Sequence, residues 1–182
     1  MRKVTLGGVM MFLVAAGCSE PISPPTPPDL EPAEQGRATQ ELVTGGGQFV
    51  HPDFGTVTFA FTAVRHRDGS ATGFFFQNQH DLGFIYAGKV TCFAVDRVNN
   101  RAWIAGDLTY SNDPSDITGV GDDAWFRILD LEKHAADPDR STFLGFEGGA
   151  GIITSEQYCA TRLWADGNAR TWPVVKGGIA IH

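Results

Sequence analysis

The chain of 182 residues is short of cations: 14 Lys and Arg stand against 21 Asp and Glu, for a formal charge of −7. The cations are scattered singly, so no basic stripe exists to neutralise phosphates, and nucleic-acid binding is excluded as a working reading. Cysteine is also scarce, at three residues, and no Cys-x-x-Cys or His-Glu-x-x-His occurs, which removes a zinc site built from a local motif. Gly-x-Ser-x-Gly is absent, and the five histidines at 51, 66, 80, 134 and 182 have no spacing that sets a base beside a nucleophile. The glycine runs Gly45-Gly46-Gly47 and Gly145 to Gly151 lack the Lys-Ser/Thr of a phosphate loop and the βαβ setting of a dinucleotide site. They are read as turns, bulges or places of close backbone approach.

No apolar run is long enough to span a bilayer. The longest, residues 4–16, follows Arg2-Lys3, and its 13 residues reach about 20 Å at a helical rise. A charged start and a short apolar stretch are the layout of a signal peptide. Ala15-Ala16-Gly17-Cys18 then resembles the lipobox of bacterial lipoproteins, with Ala15 where that family most often has Leu. The resemblance implies cleavage after residue 17, acylation of Cys18, and a membrane as the first partner; Ser19 implies the outer membrane if the cell has one. Two or more acyl chains hold a protein stably where one does not. Removal of Arg2 and Lys3 would leave 12 basic against 21 acidic side chains, a net of −9.

Residues 18–41 are proline-rich and nearly free of large apolar side chains, so they are read as an extended spacer without a core. From residue 42 to residue 182 the texture is that of a single domain. Hydrophobic residues make up 42% of the chain and 13 Phe and 4 Trp supply bulk for a core. The period is two. Residues 56–65 alternate through Val57, Phe59, Phe61 and Ala63, Asp68-Gly69 supplies a turn, and residues 71–77 return with Phe74 and Phe76 on one face. A second hairpin is predicted from residues 88–96, with Val90, Cys92 and Ala94 on one face, through Asn99-Asn100 to residues 102–110. Further strands are expected at 46–51, 82–87, 124–130, 142–146 and 177–182. Residues 154–164 are read as a helix from the Thr154/Gln157 capping box, with a strand as the alternative. The fold class is all-β: an antiparallel meander closing into a small barrel, or else a two-layer sandwich, with at most one short helix.

This region also resembles a family of exported bacterial β domains without a characterised activity. The residues that carry the likeness are Gly45-Gly46-Gly47, Gly88-Lys89-Val90-Thr91-Cys92, Asn100 to Gly106, Trp125 to Asp130, Asp137 to Ser141 and the closing Gly178-Ile179-Ala180-Ile181-His182. Asp130-Leu131-Glu132 lacks that family's usual loop glycine, and Gly177-Gly178 replaces a Gly-Asn pair. The likeness implies a complete domain and no particular activity.

Cys92 and Cys159 remain once Cys18 is set aside for lipid, and in an oxidising compartment they are a candidate disulfide; two buried free thiols are the alternative. The bridge would close a loop of about 68 residues and stabilise by about 4 kcal/mol in the chain-entropy account. Asp130, Glu132, Asp137 and Asp139, with His134 between them, are candidate calcium ligands, since calcium takes many oxygens in flexible geometry; a solvated acidic loop is the blander reading. Trp164 and Trp172 flank Asp166-Gly167-Asn168 and are candidate ligand contacts, with core packing as the alternative. Function divides between a non-catalytic ligand-binding or envelope-accessory module, whose ligand or protein partner is not specified, and a hydrolase of extracellular polymer. The first predicts a groove lined by aromatics; the second predicts converging acids or histidines.

Overall fold

Along residues 55–66 and 71–79 alternate side chains are buried, as a closed sheet with a packed interior requires. In a computed structural model, described at residues 39–114, 119–131, 136–145, 152, 154–164 and 166–182, eight antiparallel strands form a closed barrel in simple sequence order. They are β1 (Thr39–His51), β2 (Gly55–His66), β3 (Ala71–Gln79), β4 (Phe84–Asp96), β5 (Arg101–Ser111), β6 (Asp123–Leu129), β7 (Arg140–Ser141) and β8 (Trp172–Ile181), with α1 (Ser155–Thr161) as the α-helix. The meander is therefore a barrel, not a sandwich. Cys18, Glu132 and His134, and with them the signal-peptide segment and the spacer up to residue 38, lie outside the described residues.

Inside the barrel, Val57, Phe59, Phe61 and Ala63 of β2 meet Val43 and Phe49 of β1, Phe75 of β3, Ile104 of β5, and Phe126 and Ile128 of β6. Each large ring removed from water contributes about 1.5–3 kcal/mol. Phe61 and Phe75 both approach Phe126 edge-on, with centroids 5.2 and 6.0 Å away. The barrel is filled by its own side chains. On β3 the two-Phe face turns outward: Phe75, Gln77 and Gln79 are buried while Phe74 is half exposed.

Several sequence expectations are corrected. Residues 82–87 and 88–96 are one strand, because Gly88 does not break β4; it admits the Phe75 ring, whose Cζ would sit 2.1 Å from a Cβ there. Val90, Cys92 and Ala94 do not share a face. A bulge between Val90 and Cys92 sends Val90 into the barrel and Cys92 outward with Ala94. The strand expected at 142–146 is instead the two-residue β7, and the one expected at 177–182 begins already at Trp172, with Pro173 near its start. Strand β1 starts at Thr39, within the stretch read as spacer.

Helix α1 is shorter than residues 154–164. Thr154 caps it through Oγ1, which accepts from the Gln157 amide at 3.3 Å, and Arg162 ends it in the left-handed conformation. Seven residues are too few for a helix to persist alone. This one is held by tertiary contacts: Tyr158 is fully buried and stacks on Trp125 at 5.6 Å, and Cys159 is joined to Cys92 of β4. A second apolar cluster of Trp103, Ala105, Tyr158 and both cysteines thus covers the outer wall of β4 to β6.

The barrel closes differently at its seam. Strand β7 is only two residues long, so most of β8 has no strand on that side. Side chains substitute. Asp139 Oδ2 accepts from the Ile179 amide at 2.7 Å and Asp130 Oδ2 from the Ile181 amide at 2.9 Å, while the Asp139 carbonyl accepts from Val174. Charge-assisted bonds of this kind are stronger than neutral ones.

Candidate functional site

A cleft of about 830 Å³ opens on the outer wall where β8, β1, β2 and β3 run side by side. The register fixes its floor: Gly46 lies opposite both Gly178 and Ala60, and the next row sets Thr44 between Ala180 and Thr62, with Phe74 beyond Thr62. Nothing larger than threonine stands on these rows before β3, where Phe76 ends the first row and Phe74, 50% exposed, ends the second and walls one flank. The segment from Ala136 to Asp139 walls the other. A volume of that size falls in the range of about 300–1,000 Å³ usual for small-ligand sites.

The glycines there serve two ends. At Gly45 a Cβ would lie 2.5 Å from the Phe61 ring, and at Gly47 it would lie 2.1 Å from the Lys176 carbonyl, so both positions need glycine for the wall to close. Gly46 and Gly178 differ. A Cβ at Gly46 would meet the Phe59 carbonyl at 3.6 Å and one at Gly178 would meet Asp139 Oδ2 at 3.5 Å, both ordinary contacts. Neither carries a positive φ, so the backbone accepts any L residue. Packing of the barrel does not require these two glycines; the open cleft does.

The acidic constellation is divided by the fold. Asp139 accepts with both oxygens, from Leu131 N at 2.9 Å and from Ile179 N, and Asp130 is engaged with β8. Asp137 is exposed and lines the cleft. Among the described residues no group of three or more His, Cys, Asp or Glu side chains converges on one point.

Neither tryptophan singled out from sequence lines the cleft. Trp172 packs at 4.2 Å from the His51 ring and stacks on Phe49, closing one end of the barrel. The guanidinium groups of Arg101 and Arg127 lie over the Trp164 ring, at 4.5 and 4.8 Å, and its Nε1 donates to Asn168 Oδ1. Arg127 is fully buried and donates to the carbonyls of Leu163 and Ala169, so it pins the connection between α1 and β8. Sequence reading missed this role, and its one signal was a cation in an otherwise apolar strand.

Besides Asp96, whose carboxyl is held below its usual range by the hydrogen bond from Asn99, two titratable groups depart from their ordinary behaviour. Burial lowers the His51 pKa, with Asp53 opposing weakly, and Nδ1 accepts from the Asp53 amide at 3.0 Å. Phe54 and Phe143 complete an aromatic surround at 4.4 and 5.8 Å. Burial and the hydrogen bond to Asp113, 2.7 Å away, keep the Tyr86 hydroxyl protonated well above its usual range. Neither residue lines the cleft. No protein-family model matches the chain, and neither does any curated protein or solved structure.

Proposed function

We propose that the protein is a non-catalytic binding module, carried to the cell envelope and anchored there by lipid on Cys18, and that its ligand lies in the wall cleft. The observation that carries this reading is the pair Gly46 and Gly178: both positions tolerate a side chain sterically, yet both are bare and together floor the cleft. An aromatic flank, with no group of three or more His, Cys, Asp or Glu side chains converging among the described residues, favours binding over hydrolysis.

The anchor is tested by fractionation. The full chain is expected in the membrane fraction with acyl mass on Cys18, and a Cys18→Ser variant in the soluble fraction; equal partition of both would end the anchor. The cleft is tested with the full chain by thermal melting against a chemically mixed ligand panel. At least one class should raise the midpoint saturably without being consumed, and Gly46→Val should abolish the rise. Turnover of the ligand would replace this reading with the hydrolase.

A further inference from the structure

We infer that the occupant of the wall cleft is a neutral oligosaccharide lying across β8, β1 and β2. This rests on the binding reading above and adds the ligand class. A sugar ring presents a flat C–H face and a girdle of hydroxyls that both donate and accept. The cleft matches both. Gly46, Gly178 and Ala60 leave a floor on which a ring lies flat, and the half-exposed Phe74 offers an aromatic face to C–H bonds. Within the same space Thr62 supplies a hydroxyl, and Asp137 on the opposite flank supplies an acceptor pair.

Competing classes fit less well. A lipid chain needs an enclosed apolar slot, but the barrel interior is filled by its own rings and the wall cleft is open and partly polar. An extended peptide that adds to a sheet needs a free edge; β1 and β2 are paired on both sides, and on the open side of β8 the Val174, Ile179 and Ile181 amides already donate to Asp139 and Asp130. A phosphate-bearing ligand needs cations, and among the described residues no Lys or Arg lines the cleft. A cationic ligand would meet one carboxylate, Asp137, because both Asp139 oxygens are already engaged by the Leu131 and Ile179 amides.

The test is calorimetric titration of the full chain with cellohexaose, chitohexaose and maltohexaose as sugar probes, beside hexalysine and oleate. Saturable binding of at least one hexasaccharide is expected, lost in Gly46→Val, weakened about tenfold in Phe74→Leu, which keeps apolar bulk but removes the ring, and weakened severalfold in Asp137→Ala. Circular dichroism confirms that each variant is folded, and Val98→Ser, exposed on the β4–β5 turn and outside the cleft lining, serves as a control that binds normally. Hexalysine or oleate bound in place of sugar, and blocked by Gly46→Val, would overturn the sugar inference and leave the cleft standing. Sugar binding unaffected by Phe74→Leu would overturn it equally. Failure of every probe, or binding that Gly46→Val does not disturb, would overturn both.

Discussion

The two outer walls of this barrel are built from the same kind of strand and finished in opposite ways. Over β4 to β6 the outward side chains are Trp103, Trp125 and Cys92, and a helix bonded to the sheet covers them. Over β8, β1 and β2 they are Gly178, Gly46, Ala60 and Thr62, and the wall is left as a cleft. Large apolar residues on an outer wall demand a lid, because exposed patches of that kind are costly or sticky. Small ones do not. A wall stripped to backbone where packing would admit side chains is the stronger sign of a surface kept clear for something else.

The covered wall gives the largest expected effect. Replacing Cys92 and Cys159 together by alanine should lower stability by about 4 kcal/mol, read from the denaturant midpoint, and should open α1 to proteolysis ahead of the barrel. A change below about 1 kcal/mol would mean that packing of Tyr158 alone holds the lid. Next comes the seam beside the bare wall. Asp139→Ala removes acceptors from the Leu131 and Ile179 amides and should cost about 3 kcal/mol; an unchanged midpoint would show that β8 needs no substitute strand.

Within the bare wall, Gly47→Ala should cost about 2 kcal/mol through overpacking against the Lys176 carbonyl. Gly46→Ala should instead be neutral or stabilising by about 0.5 kcal/mol through the unfolded chain. Equal effects at these neighbours would erase the distinction between glycines the fold needs and glycines the cleft needs. The smallest effect belongs to neither wall. His51, 3% exposed at the barrel end, has a lowered pKa when folded, so its neutral form is favoured there. Its contribution is complete above the unfolded value of about 6.5 and declines as pH falls through that value. Melting midpoints from pH 7.5 down to 5.5 should fall less steeply in His51→Asn than in the parent, and parallel slopes would refute the assignment.

The hairpins were readable because both signals are local: alternation along β2 and β3, and turns at Asp68-Gly69 and Asn99-Asn100. Closure into a barrel was readable as one of two outcomes. What closes the seam was not, since the β8 amides that bond the Asp139 and Asp130 side chains lie 40 and 51 residues away and no spacing encodes them. Those same carboxylates are candidate calcium ligands by composition, which does not show that their oxygens also hold a strand. The bulge after Val90 changed faces within a single strand, which strict alternation hides. The cleft was hardest to see, because absence of side chains defines it. Its trace was the glycine triplet at 45–47 and the pair at 177–178, distant in the chain and brought into register only by β1 and β8.

The most direct measurement is a map of backbone amide shifts in the full chain as bound ligand accumulates. The account predicts changes concentrated at Gly46, Ala60, Thr62, Phe74 and Gly178, with α1 and Trp164 silent. Changes centred on α1, Trp103 and Trp164 instead would place recognition on the covered wall and contradict it.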